Sequence, residues 1–265
     1  MEVAVAYFSG SGNTRLVAEE LARAIRRQAA QREQVAATTC MSIEELDPRV
    51  LGLVDAIVAG FPVYAFHAPL VFRQFVEKLP DGRGKPAFLF CTHGGAPFAA
   101  VAVMARRFAR RGYNVRGTNS IRMPDTIAVV MARKGSALAQ RNPEQQVEML
   151  AAQVVEELIG RERPGPEVKL ASAAEELLTG ALNAVGRLVL ELVLRRGFWV
   201  DSSCDLCGIC AQRCPNGNIT LTGGTVRFET GCETCLRCVN VCPKEAIQIR
   251  RWTVGKNRWR NLWGS

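Results

Sequence analysis

Histidine is scarce in this chain of 265 residues, which contains only His67 and His93. A histidine-based metal centre is therefore not expected, because the two residues lack the partner ligands that such a site requires. Any metal chemistry has to rest on other side chains.

Long uncharged apolar runs are also lacking. The longest candidate for a membrane span, residues 177–194, is interrupted by Arg187 and Glu191 and falls short of about 18 consecutive apolar residues. At the N-terminus, Met1 and Glu2 lead directly into a strand-like run, without a cationic segment followed by an apolar one. We therefore expect a cytoplasmic protein with no transmembrane segment.

Acidic residues are fewer than basic ones, 25 against 34, which gives a formal net charge of +9. The excess positive charge is spread over arginine-rich helices rather than gathered into one run, so nucleic acid is not the expected partner. An acidic partner or an anionic cofactor would suit this charge equally well.

Strand-like and helix-like segments alternate through the first half of the chain. The predicted strands are Val3–Phe8, Val35–Thr39, Ala56–Phe61, Ala87–Cys91 and Tyr113–Ile121. The predicted helices are Asn13–Gln28, Ala68–Leu79, Phe98–Arg111 and Pro143–Ile159. This alternation predicts an α/β fold, with a parallel sheet of five strands covered by helices on both faces.

A charged segment rich in proline and glycine, residues 161–167, predicts a linker before a long helix from about Leu170 to Arg196. The predicted apolar face carries Leu170, Ala174, Leu177, Ala181, Leu188 and Leu192, and the opposite face carries Glu176, Asn183, Arg187 and Glu191. We expect the helix to dock between two domains. The alternatives are a membrane-surface helix or a helix that forms an oligomer.

The loop SGSGNT follows the first predicted strand and precedes the first predicted helix. In a parallel sheet this position binds phosphate, because free backbone N–H groups and the helix dipole point there. The loop lacks the lysine of a nucleotide P-loop and the third glycine of a dinucleotide fingerprint. A phosphate monoester remains, and the alternative is an ordinary turn with an asparagine helix cap. The candidate ligand-binding residues are Ser9, Gly10, Ser11, Gly12, Asn13 and Thr14.

Eight of the ten cysteines lie in two runs with the pattern C-x2-C-x2-C-x3-C-P, and each cysteine of the first run has its equivalent 28 residues later in the second run. This spacing is typical of two 4Fe-4S clusters, in which the fourth cysteine of each run binds the other cluster. Zinc sites usually take two separated C-x2-C pairs, and disulfides are rare without export. The expected ligand sets are Cys204, Cys207, Cys210 and Cys242 for one cluster, and Cys232, Cys235, Cys238 and Cys214 for the other. Cys40 and Cys91 are expected to be buried apolar thiols.

Residues 199–250, which contain both runs, resemble the bacterial two-cluster ferredoxins, and SGSGNT resembles the flavodoxin phosphate loop T/S-x-T/S-G-N-T. The whole chain is similar to the flavodoxin-ferredoxin fusion proteins of anaerobic bacteria and archaea. MPDT at 123–126 and NRWRN at 257–261 also resemble family segments, although an asparagine is expected near Thr126 and a tyrosine at Trp259.

The resemblance implies FMN and two 4Fe-4S clusters as cofactors. The flavin ring would lie between the loops after the third and fourth strands. The candidate residues there are Pro62, Val63, Tyr64, Phe66, Thr92, His93, Gly94 and Gly95. Tyr64 and Phe66 offer aromatic faces for stacking, and His93 is a candidate hydrogen-bond partner, the alternative being a solvent-facing loop residue.

The implied organisation is a flavodoxin-like FMN domain over residues 1–160, a linker and helix over 161–198, a small α+β ferredoxin domain over 199–250 and a basic aromatic tail over 251–265. The tail is expected to strap the two domains together. A loose tail or a contact with single-stranded nucleic acid are the alternatives.

The implied function is relay of electrons between FMN, the clusters and an unidentified redox partner protein. The alternative is a ferredoxin-linked flavin oxidoreductase that acts on NAD(P)H, a quinone or another small acceptor. A redox sensor is a third interpretation. The chain shows no second nucleotide fingerprint, which favours the relay.

The exchange of the fourth ligand predicts reciprocal effects of two substitutions. Cys214→Ser should damage the cluster held by Cys232, Cys235 and Cys238 and spare the other, whereas Cys242→Ser should do the opposite. EPR spectra of the reduced variants measure each cluster separately. Loss of the same signal from both variants would contradict the exchanged ligand sets.

Overall fold

A computed structural model of the protein describes residues 1–31, 37–132, 144–160, 168, 170–193 and 195–259. The predicted linker at 161–167, the tail beyond Trp259, and the first residues of the predicted second strand and fourth helix lie outside the described residues.

Five parallel strands form one sheet, in the order β2-β1-β3-β4-β5. They are β1 (Glu2–Tyr7), β2 (Ala37–Ser42), β3 (Ala56–Pro62), β4 (Pro86–His93) and β5 (Asn114–Arg122). All seven residues of β3 are buried, as expected of a central strand covered on both faces. The sheet predicted from the sequence is confirmed, and its order is that of the flavodoxin-like fold.

Helices cover both faces of the sheet and enclose two apolar cores. The helices of this part are α1 (Asn13–Gln31), α2 (Leu70–Glu77), α3 (Ala100–Arg110), α4 (Thr126–Met131) and α5 (Glu144–Val155). One core lies under α2 and α3 and the other under α1 and α5. A π-helical turn, Glu156–Gly160, follows α5. The sequence did not predict the short helix α4.

The long helix α6 (Ala173–Val193) docks by a different face from the predicted one. Leu177, on the predicted docking face, is 76% exposed, whereas Asn183 is buried. The Asn183 side-chain amide donates to the backbone oxygen of Ala65 (2.8 Å), and Glu176 pairs with Arg110 (3.0 Å). Polar contacts to backbone oxygens and arginines therefore hold the helix, and all its leucines except Leu190 remain exposed.

The C-terminal region, residues 195–259, contains two antiparallel strand pairs and two short helices. The strands are β6 (Phe198–Val200), paired with β9 (Ile247–Ile249), and β7 (Ile219–Thr222), paired with β8 (Thr225–Phe228). The helices are α7 (Ile209–Gln212) and α8 (Arg237–Val241). Each helix begins one residue before the third cysteine of its run, Cys210 or Cys238, so the sequence repeat is also a repeat of backbone structure.

The described part of the tail packs against both regions of the protein. The backbone N–H of Trp259 donates to the Asn240 side-chain oxygen (2.8 Å), and that of Asn257 donates to the Ala132 oxygen (3.2 Å), just beyond α4. Trp259 is buried. The role of the tail as a strap stays a prediction.

None of the helices within the described residues has both the length and the apolar character that crossing a membrane requires.

Two Gly→Ala substitutions should change stability in opposite directions. A Cβ on Gly60 of β3 would lie 2.2 Å from the ring of the buried Phe90, so Gly60→Ala should destabilise the protein by about 1–3 kcal/mol. Gly180, on the exposed side of α6, has no such neighbour within 4 Å, and Gly180→Ala should stabilise by about 0.4–1 kcal/mol. Midpoints of thermal unfolding test both. A midpoint that Gly60→Ala leaves unchanged would contradict the tight packing.

Candidate functional site

A cavity of about 790 Å³ opens at the carboxyl edge of the sheet, where the loops after β1, β3, β4 and β5 meet. All the residues expected to hold the flavin line it, except Gly12. Gly12 has φ +99°, a conformation that favours glycine, and so shapes the loop rather than the cavity wall.

The loop of residues 9–14 presents its N–H groups at the start of α1. Ser9 accepts a hydrogen bond from the Gly12 N–H through its side-chain oxygen (3.1 Å). The N–H groups of Ser11, Asn13 and Thr14 donate to no acceptor within the part of the chain that the structure describes. Together with the positive end of the helix dipole, these donors form a site suited to an anion.

Side-chain hydrogen bonds fix this loop against two other elements. The Thr14 hydroxyl lies 2.8 Å from that of Thr92 in β4, and the Ser11 hydroxyl lies 2.9 Å from that of Thr126 in α4. The Asn13 side-chain amide donates to the Pro124 oxygen (3.0 Å). Residues 123–127 therefore complete the cavity. The MPDT resemblance pointed to this segment, but it was not among the predicted site residues.

A tight turn at residues 64–67 forms the next wall. Tyr64 and His67 exchange two backbone hydrogen bonds of 2.9 and 3.0 Å. The Phe66 ring meets the edge of the Phe98 ring, with centroids 4.8 Å apart, and both rings line the cavity. Phe98 was not predicted, because it lies in the loop after β4 without a recognisable motif.

The Tyr64 side chain packs closely against the loop of residues 9–14 instead of presenting a free aromatic face. A Cβ on Gly10 would lie 2.0 Å from the Tyr64 hydroxyl oxygen and 2.9 Å from the Cβ of Cys235. Only glycine leaves room for this approach. The loop of residues 9–14 is thus in close contact with both Tyr64 and a cysteine of the C-terminal region.

The loop after β4 is held by its own contacts. The His93 Nδ1 lies 2.8 Å from the Gly95 oxygen, and the Arg122 Nε donates to the Gly94 oxygen (3.2 Å). A Cβ on Gly94 would lie 2.7 Å from that of Asp125. The backbone of this loop therefore packs directly against residues 123–127.

Two walls of the cavity come from parts of the chain that the sequence did not connect with the site. One is an apolar side of α6, and the other belongs to the second cysteine loop. Their lining residues are Leu182, Val185, Gly186, Val189 and Leu190, and Glu233, Thr234, Cys235 and Leu236. No local motif marks such contacts, because they arise from packing between distant segments.

The two cysteine runs surround two further small cavities. Cys204, Cys207, Cys210 and Cys242 line one, and Cys214, Cys232, Cys235 and Cys238 line the other. This grouping is compatible with the exchange of the fourth ligand, which stays a prediction. Within the described residues, no three His, Cys, Asp or Glu side chains are arranged to hold a single metal ion.

Four backbone N–H groups donate to cysteine sulfurs, and they occur in pairs related by the 28-residue repeat. Leu206 donates to Cys204 (3.4 Å) and Thr234 to Cys232 (3.3 Å). Asn218 donates to Cys214 (3.2 Å) and Ala246 to Cys242 (3.3 Å). Such bonds stabilise negative charge on sulfur, and they tune the potential of a cluster where one is bound.

The two cysteines outside the runs do not reach these cavities. Cys91 is fully buried in β4, and burial raises the pKa of its thiol to about 12. Cys40 is half-buried, and burial together with the nearby Glu19 carboxylate raises its pKa to about 12.

Comparison with known proteins agrees with the architecture of the N-terminal part. Residues 4–123 match the family model described as the flavodoxin domain. A flavodoxin from the domain Archaea is 19% identical, with 60% of this chain and 99% of that chain covered and a TM-score of 0.44. The two-electron reduced flavodoxin of Megasphaera elsdenii is 21% identical, with 57% and 98% covered and a TM-score of 0.43. No curated protein matches the chain. The match to the family model identifies residues 4–123 as a flavodoxin-like domain.

His67, the last residue of the turn at residues 64–67, should make the stability of the protein depend on pH. Burial, reinforced by Arg73 and Arg107, lowers the pKa of its imidazole to about 4 from the ordinary 6.5. The unfolded chain therefore binds the proton first as pH falls. The free energy of unfolding should decrease between pH 6.5 and 4, by up to about 3 kcal/mol from this group.

Chemical denaturation of the wild type and of His67→Leu, which cannot be protonated, at several pH values measures this contribution. The difference between the two should change with pH across that window. His93→Leu controls for loss of a histidine from a half-buried position. Parallel pH curves for the wild type and His67→Leu would contradict the assignment.

Proposed function

We propose that the protein is an electron-transfer iron–sulfur flavoprotein, which relays electrons between FMN, two 4Fe-4S clusters and an external redox partner protein. The observation that carries the proposal is the close packing of both Tyr64 and Cys235 against Gly10. It brings an expected cluster ligand directly to the expected phosphate loop.

The large cavity suits FMN in size and in chemistry. Its volume of about 790 Å³ lies within the range of small-molecule sites, roughly 300–1,000 Å³. The N–H groups of Ser11, Asn13 and Thr14 would hold the phosphate. Phe66, Phe98 and the apolar side of α6 would contact the ring. Residues 93–95 offer backbone groups for its polar edge.

The cysteine cavities suit cubane clusters rather than a single ion. Each corner iron of a cubane takes one thiolate, so the four sulfurs surround a volume and do not converge on one point. The N–H groups of Leu206, Thr234, Asn218 and Ala246 would supply hydrogen bonds to the charged sulfurs. When bound, FMN exchanges electrons singly or in pairs, whereas the clusters exchange them one at a time.

A second candidate function is a flavin oxidoreductase acting on a small acceptor such as a quinone. The apolar cavity wall favours it, because Phe98 and Val185 are more than half exposed beside the proposed flavin site. An apolar acceptor could approach there. Anaerobic steady-state assays with NAD(P)H and a soluble quinone separate the two functions, since a relay alone should show no substantial turnover without a protein partner.

Cofactor analysis tests the proposal most directly. Protein purified without oxygen should contain about one FMN, eight iron and eight sulfide ions per chain. Cys40→Ala, which removes a cysteine outside the runs, should retain all the iron, whereas Cys238→Ser should lose about half. Zinc in place of iron would contradict the cluster assignment, and absence of flavin would contradict the FMN assignment.

A further inference from the structure

The two copies of the cysteine motif are equivalent in sequence but differ in their surroundings. In the first copy, Leu206 is 42% exposed, and the equivalent Thr234 of the second copy is 6% exposed. Cys207 is exposed, whereas the equivalent Cys235 packs beside Gly10 and Tyr64. The flavodoxin-like domain therefore covers one copy and leaves the other open to solvent.

Glu233 of the second copy caps a helix of the flavodoxin-like domain. Both of its carboxylate oxygens accept from the Leu70 N–H, at 2.8 and 2.9 Å, at the start of α2. The cap residue of α2, Pro69, makes no side-chain hydrogen bond, so Glu233 takes the place of an N-cap. The equivalent residue of the first copy, Asp205, is exposed and accepts from the N–H of Cys207 in its own loop.

Arg237 makes the most extensive contact between the two regions. It forms two hydrogen bonds of 2.7 Å with the Glu44 carboxylate, and its guanidinium lies 5.3 Å from the centre of the Phe8 ring. Its side chain is only 12% exposed. The equivalent position of the first copy is Ile209, so the cysteine motif itself does not require an arginine there.

The same guanidinium binds the backbone of the phosphate loop. It donates to the Ser9 oxygen (2.8 Å) and to the Gly10 oxygen (3.2 Å). These bonds hold the two carbonyl groups toward the C-terminal region, while the N–H groups of Ser11, Asn13 and Thr14 remain available to the cavity. Arg237 thus supports the loop from the side away from the cavity. Because its guanidinium is charged, its hydrogen bonds contribute more than hydrogen bonds between neutral groups would.

We propose that Arg237 is a positioning residue for two sites: it orients the phosphate loop for an anion and holds the second cysteine copy as the inner one, beside Tyr64, leaving the first copy to face external partners. The inference rests on the proposed function, because it assumes FMN in the large cavity and a cluster at Cys232, Cys235 and Cys238.

The first test is the release of FMN from the full-length holoprotein on dilution, followed by flavin fluorescence. Arg237→Met removes both hydrogen bonds that Arg237 donates to the loop, and FMN release should become about ten- to a hundredfold faster. Arg237→Lys keeps the charge but not the forked geometry, so it should restore the rate only in part. Arg213→Met, which removes an exposed arginine from the same junction, should release FMN at the wild-type rate.

The second test is a potentiometric titration of the two clusters monitored by EPR. A buried cation beside a cluster stabilises the added electron, so Arg237→Met should lower the potential of the cluster that Cys214→Ser disrupts. The other cluster should keep its potential. Arg237→Lys should restore the wild-type value, and Glu44→Gln should raise it. A purely structural role of Arg237 would not produce these opposite shifts.

The outcomes separate this inference from the proposed function. Wild-type protein without iron or FMN would refute the proposed function before any variant is compared. Wild-type protein with full cofactor content, together with unchanged FMN release and unchanged potentials in Arg237→Met, would refute only the role of Arg237. Should Arg237→Met fail to fold, Arg237→Lys and Glu44→Gln carry the same comparison. A wild-type rate of FMN release in Arg237→Lys, together with an unchanged cluster potential in Glu44→Gln, would then overturn the inference.

Discussion

All five strands of the sheet run in the same direction, and this constraint determines where ligands can bind. Parallel strands place every following loop at one edge, so residues far apart in the chain meet there without any dedicated contact. The change of strand order between β1 and β3 leaves a crevice at that edge. The residues at 9–14, 62–66 and 92–95 share one cavity because of this topology.

The motifs that could be predicted from the sequence are the ones whose chemistry is local. The conformation of SGSGNT can be predicted from the segment alone, because a loop of small residues before a helix exposes its N–H groups wherever it occurs. The cysteine repeat is local in the same sense, because the spacing of its cysteines is visible within each short run of sequence. The sequence therefore predicted the sheet and slightly less than half of the cavity lining, including Tyr64 and Phe66.

The orientation of α6 could not be predicted, because it depends on partners elsewhere in the chain. Amphipathic periodicity favours burial of leucines, but Asn183 donates to the Ala65 oxygen and Glu176 pairs with arginines of the flavodoxin-like domain, and these contacts decide the docking face. The contacts of Glu233 and Arg237 could not be predicted from the sequence for the same reason. The repeat does not show that Glu233 and Arg237 contact the flavodoxin-like domain, whereas the equivalent Asp205 and Ile209, within the described residues, form no hydrogen bond to it.

The position of Arg237 in the chain has a consequence for biosynthesis. Ser9 and Gly10 leave the ribosome more than 200 residues before the side chain that binds their carbonyl oxygens. During synthesis the nascent flavodoxin-like domain has its sheet without this support. The loop therefore gains its full support only after the cysteine region has folded against it, so that the two regions mature together rather than one at a time.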